Sequence, residues 1–102
     1  MYKMTSAELD EMYKRKYEYI KRLQLAFKLD LRSDVKNLDY HRNFNGCPEV
    51  VEIEFNNGHK RYINVTGNSN SANYRQIGNA VYGGEVIGEI FHTDENNAGT
   101  DV

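Results

Sequence analysis

The sequence predicts a small α+β domain: a long N-terminal helix packed with a β-hairpin, which a second helix follows. Three observations carry this. Residues 5–29 hold apolar side chains at helical spacing behind a complete N-terminal cap. Residues 50–65 alternate apolar and polar on both sides of an Asn-Gly pair. Residues 66–84 pass from a polar cap through an apolar stripe to a Gly-Gly stop.

The first helix starts at Thr5. A threonine there can accept from an unpaired helix N–H, and Glu8, three residues on, completes a capping box. Met4 and Leu9 take the hydrophobic-staple positions. Leu9, Met12, Tyr13, Tyr17, Ile20, Leu23 and Phe27 form the apolar stripe to about Leu29. Asp10 with Lys14, Glu11 with Arg15 and Glu18 with Arg22 are acid-before-base pairs four apart, each worth a few tenths of a kcal/mol. Such a helix is about 37 Å long. The hairpin is too short to cover it, so either the 31–38 segment folds back over the rest or a second copy does.

Residues 30–49 are the least regular. Leu31, Val35 and Leu38 suggest one or two helical turns with Ser33 as a cap. A polar loop from His41 to Pro48 then turns at Asn45-Gly46, and Pro48 suits the start of a strand, where its missing N–H is harmless.

Val51, Ile53 and Phe55 alternate with Glu52 and Glu54, a half-buried strand. Asn56-Asn57-Gly58 turns the chain and His59 to Val65 returns it. Directly opposed residues share a face. A three-residue loop therefore sets Val51 against Ile63 and Glu54 against Lys60, whereas a two-residue loop mixes the faces. Arg61 then opposes Ile53, a misfit that its aliphatic stem can absorb. Asn68 to Ser71 is rich in N-cap residues, Ile77, Ala80 and Val81 keep helical spacing, and Gly83-Gly84 ends the second helix. Gly78 inside it costs about 1 kcal/mol relative to alanine and reads as a mark of close packing. Glu85 to Phe91 suits either a short amphipathic helix or an edge strand, with the helix preferred. Residues 1–92 read as a single domain and 93–102 as a disordered acidic tail.

Composition narrows the function classes. The 102 residues carry a net charge of −2, a hydrophobic content of 39% and one cysteine; mean hydropathy is −0.77. There is no apolar run to span a membrane and no apolar leader, which implies a cytoplasmic protein. Residues 1–30 carry 7 basic and 5 acidic side chains, and 93–102 carry 0 and 3, an asymmetry able to steer a partner. Cys47 with His41 or His59 lacks a third orienting residue. His41, His59 and His92 lack metal-site spacing, so neither metal nor cofactor is expected. Glu52 and Glu54 read as a wet strand face.

Two candidate binding sites remain. Asn68, Ser69 and Asn70 at a helix N-terminus, with Tyr74 and Arg75 one turn in, could hold an anion and stack a base. Lys14, Arg15, Lys16, Lys21 and Arg22 could touch nucleic-acid phosphates. Eight tyrosines are a high load and point to a contact surface.

Tyr74-Arg75-Gln76-Ile77-Gly78-Asn79-Ala80-Val81 resembles the last signature block of cytosine-5 DNA methyltransferases, which opens a helix near the cofactor pocket. The Pro-Cys nucleophile loop of that family is missing, since Cys47 precedes Pro48, so the resemblance implies a helix start and not an activity. The unit from Val50 to Val81, behind a charged helix, resembles small proteins carried by phages and prophages of Gram-positive bacteria. That implies a mobile-element product without enzymatic activity. Its expected action is against host defence: masking a host protein or nucleoprotein such as a nuclease complex, or sequestering a nucleotide ligand, as a homo-oligomer. The alternative is a nucleic-acid-binding accessory protein using the basic helix.

Overall fold

A computed structural model describes residues 3–83 and 89–93 and has an α+β fold. In chain order the elements are α1 (Ser6–Leu29), β1 (Val35–Phe44), β2 (Cys47–Phe55), β3 (Lys60–Asn64), α2 (Asn70–Val81) and β4 (Glu89–Thr93). The strands form one antiparallel sheet in the order β1-β2-β3-β4. Asn70 at the start of α2 lines a cavity with Met12 and Lys16, and Tyr82 just past its end bonds Asp30. The two helices therefore run in the same direction.

The caps form as the residues dictate. The Thr5 hydroxyl accepts from the Glu8 N–H at 3.2 Å, and the Glu8 carboxylate accepts from the Thr5 N–H at 2.9 Å. Ile20, Leu23 and Phe27 of α1 meet Val35, Leu38 and Tyr40 of β1, with Val51, Ile53, Ile63, Val65, Ile77 and Ala80 completing one core. The β2–β3 register is the one that face-matching requires: Val51 opposes Ile63, Ile53 opposes Arg61 and Glu54 opposes Lys60. Gly58 turns the hairpin at φ +89°, a conformation open to glycine at no steric cost. The Arg61 misfit resolves usefully, because its guanidinium reaches past the core to donate to the Ala80 carbonyl at 3.2 Å, near the negative end of α2.

Three expectations need correction. Residues 35–44 are a ten-residue strand, not helical turns in a loop. A bulge between Val35 and Asn37 is the cause: it puts Val35 and Leu38 on one face although they are three apart, which imitates a helical repeat. Ser33 accepts from the Val35 N–H at 3.1 Å and starts this strand instead of a helix. Residues 89–93 form an edge strand paired with β3, not a helix, so Thr93 belongs to the sheet. Residues 84–88 and 94–102, with the expected tail, lie outside the described residues. Finally, a Cβ built on Gly78 meets nothing within 4 Å, so close packing does not explain that glycine.

β1 covers α1 and answers the length mismatch within one chain. Its outer edge is in turn guarded by α1. The Leu38 N–H donates to Gln24 Oε1 at 2.8 Å, and the Leu38 carbonyl accepts from Lys21 Nζ at 2.7 Å. These contacts occupy backbone groups that would otherwise template a foreign strand. Among the described residues no helix is long and apolar enough to cross a membrane.

Candidate functional site

Ser69 is the N-cap of α2, and its hydroxyl accepts from the Ala72 N–H at 3.2 Å. The Asn68 side-chain amide donates to Gln76 in the second turn of the helix. Both residues are thus engaged by α2 itself. Asn70 faces the other way, into a cavity of about 630 Å³ that it shares with Met4, just before α1, and with Met12 and Lys16 of α1. Tyr74 and Arg75 lie on the outer face of α2. The expected cluster of Asn68, Ser69, Asn70, Tyr74 and Arg75 is therefore split, and only Tyr74 and Arg75 share a concave surface.

That surface is a groove of about 660 Å³ formed by Ser71, Tyr74, Arg75, Gly78, Asn79 and Tyr82, with Phe27 beneath. Its residues recur at helical spacing, a second stripe beside the buried one of Asn73, Ile77 and Ala80. Tyr82 is fixed at one end. Its hydroxyl donates to Asp30, its ring stands edge-on to Phe27 at 5.9 Å, and Arg32 lies 5.5 Å from its centroid. The Arg32 and Tyr82 hydrogen bonds hold the Asp30 carboxyl well below the usual carboxylate range. Arg75 makes no ion pair or hydrogen bond among the described residues.

The basic residues of α1 do not form one surface. Lys16 turns inward to Glu49 at 2.7 Å, with side chains only 11% and 5% exposed. Lys21 is held by Asp39 at 2.7 Å, Arg15 pairs with Glu11 at 3.3 Å, and Arg22 lies over the Tyr19 ring. Lys14 is exposed.

Glu49 organises the interior below the N-terminal end of α2. It accepts from Lys16 Nζ, from the Tyr40 hydroxyl at 2.7 Å and from the Gly67 N–H at 2.9 Å, and so ties α1, β1 and the loop that caps α2 to one carboxylate. Burial pushes the Glu49 carboxyl up, but the Gly67 amide, Lys16 and Tyr40 outweigh it and the net shift is downward. Burial first and Glu49 second push the Tyr40 phenol well up, so it stays a donor.

Of the residues weighed for catalysis, His41 and Glu52 bond each other and the strand register separates His41 from Cys47. The β1–β2 register sets Cys47 against Phe44 and His41 against Val50. The His41 ring bonds Glu52 at 2.8 Å and stacks on Phe44, which stacks on Tyr62 at 5.1 Å. Glu52 also faces Lys60 at 3.5 Å. This row lies on the sheet face opposite the helices, where it covers Val50, which is fully buried. Among the described residues no group of three or more His, Cys, Asp or Glu side chains is placed to hold a metal ion.

Leu31 does not pack over the fold with Val35 and Leu38 as its spacing suggests, and Leu25 and Leu29 lie off the expected core stripe. Leu25, Leu29 and Leu31 are 61%, 83% and 101% exposed at the C-terminal end of α1. Leu25 and Leu29 are four apart on a helix and share a face. At 100° per residue both fall roughly opposite Phe27, off the core stripe, and that offset was the available signal. Asp30, between Leu29 and Leu31, carries the Tyr82 hydrogen bond, so the leucine ridge and the groove meet at the same end of the molecule.

No protein-family model, curated protein or solved structure matches the chain.

Proposed function

We propose that this protein acts by stoichiometric binding, not by catalysis, and that the ridge of Leu25, Leu29 and Leu31 docks a protein partner. The exposure of the three leucines carries this reading. Single exposed leucines are ordinary, but three within seven residues concentrate apolar surface at one end of the molecule, and such a concentration is the usual mark of a contact surface. Each leucine contributes about 1.5–3 kcal/mol when fully buried, and that gain is realised only against an apolar partner. The surroundings are held firm by the Asp30, Arg32 and Tyr82 contacts, which lowers the cost of ordering on binding.

The resemblance of residues 50–81 to small phage and prophage proteins supports a partner in a host defence complex. On this reading the protein works in the host cytoplasm and masks a protein or nucleoprotein surface. Sequestration of a nucleotide has less support, because Asn68 and Ser69 are occupied by α2. The accessory role on nucleic acid has less support too, because Lys16 is engaged inside the fold and Lys21 is held at the edge of β1.

Affinity capture from a Gram-positive bacterial lysate tests the reading, with wild type compared against Leu29→Glu/Leu31→Glu. Both variant positions are already exposed, so the fold is retained. The expected result is a partner enriched by wild type and lost by the variant at unchanged melting temperature. Equal capture by both would refute the assignment of the ridge.

A further inference from the structure

The second helix is built more weakly than the first. The buried side chains of α2 are Asn73, Ile77 and Ala80, and neither polar atom of the Asn73 amide has a partner among the described residues. An unpaired buried amide destabilises the packing that buries it. Gly78, in the helix interior, is a poor helix former, and a Cβ there meets nothing, so no close contact requires it. The ends of α2 are uncompensated as well. No acidic side chain lies in its first turn and no basic one in its last. α1 differs on each count: it has a full capping box, Glu8 in the first turn, Lys28 in the last, and Ile20, Leu23 and Phe27 buried.

The polar ties between α2 and the rest of the fold lie at its two ends. The Gly67 N–H, just ahead of it, donates to Glu49. The Arg61 guanidinium donates to the Ala80 carbonyl, and the Tyr82 hydroxyl donates to Asp30. The layer beneath is closed without α2. β2 is paired on one side with β1 and on the other with β3, and α1 packs its buried stripe on β1. Melting the chain between Gly67 and Tyr82 therefore breaks none of these strand pairings.

We infer that α2 is a lid, which opens by local unfolding between Gly67 and Tyr82 while α1 and the β1-β2-β3 sheet stay folded. Elements that move are drawn from the least stable parts of a fold, and the unpaired amide and the interior glycine place α2 there. The open form is a minor state. It bares Ile77, Ala80 and the core that they cover, a surface the closed form does not offer. The inference does not rest on the leucine ridge, which lies on the outer face of α1.

Native-state hydrogen exchange on the full chain, followed by NMR in rising urea below the unfolding transition, tests it. The amides of Ile77 to Ala80 should be at least about tenfold less protected than those of Val51 and Ile53 in β2, with a shallower dependence on urea because less surface is exposed. Asn73→Ala removes the unpaired amide and should raise the protection of the α2 amides about tenfold. Val35→Ala, on the edge strand β1, deletes buried methyl groups and should lower the protection of β2 about tenfold. It should leave α2 unchanged, because Val35 is packed alike in the closed and open forms. Equal protection of α2 and β2 at every urea concentration would overturn the inference. So would a Val35→Ala effect of the same size on both, or an Asn73→Ala variant whose α2 amides exchange as in wild type.

Discussion

Removing the Glu49 side chain should be the most damaging single change in the interior. Glu49→Ala leaves the Lys16 ammonium, 11% exposed, without its carboxylate at 2.7 Å, and strips the acceptor from the Tyr40 hydroxyl and the Gly67 N–H. Breaking a buried pair by removing one member costs about 3–5 kcal/mol, because the other charge stays buried. A domain of this size stands about 5–15 kcal/mol above its unfolded state and shifts by about 4–8 °C per kcal/mol, so the melting temperature should fall by at least about 12 °C. Lys16→Met/Glu49→Leu removes both charges and should recover most of that loss. The linkage follows from sign. The folded Glu49 pKa lies below its unfolded value, so its contribution is present above about pH 4.3 and is lost as pH falls through the folded pKa. The double variant should lose that acid-sensitive component. Urea unfolding followed by far-ultraviolet circular dichroism, at pH 7 and pH 3, measures both effects. A Glu49→Ala cost below about 1 kcal/mol at pH 7 would refute the reasoning, since the carboxylate would not then organise the interior.

Two further outcomes are expected. Asn73 is fully buried on the core-facing stripe of α2, and neither atom of its amide has a partner. Asn73→Ala should stabilise by about 1–2 kcal/mol, through relief of unpaired polar atoms and a better helix former, and thermal unfolding would show a loss of stability instead if the amide were satisfied. Lys21→Met/Gln24→Leu uncovers the β1 edge at Leu38; it should cost about 1–2 kcal/mol and increase aggregation on heating, and light scattering equal to wild type would count against the edge-guarding role.

The parts of the fold that were legible in sequence are those whose local chemistry agrees with the tertiary structure. The Thr5–Glu8 box marks the start of α1 to the residue. The pairing of Glu54 with Lys60 follows from face-matching around Asn56 to Gly58. β1 was hidden because its bulge breaks the period of two, and because His41, Arg42 and Asn43 look like loop residues when nothing shows that they line an edge strand. β4 was ambiguous for a related reason. Its apolar content fits either period, and only the open edge of β3 decides the matter. The candidate site was half legible. Tyr74 and Arg75 do lie in one groove, but a capping sequence cannot reveal that Asn68 is spent on Gln76. The glycine at 78 is only half legible, because a sequence shows the cost of a helical glycine and not whether a neighbour packs against it. The exposed leucines are not legible as a set, because Leu25 and Leu29 lie off the core stripe and Leu31 falls in a segment whose apolar spacing suggests burial.

The most direct test of protein binding at the C-terminal end of α1 is site-specific photocrosslinking in a Gram-positive bacterial cell. A benzophenone amino acid replaces Leu29 in one variant and Asn57, in the β2–β3 loop, in another. A discrete adduct with one host protein, formed from position 29 and absent from position 57, is the predicted result. Adducts at neither position, or the same adduct from both, would contradict a recognition surface built on Leu25, Leu29 and Leu31.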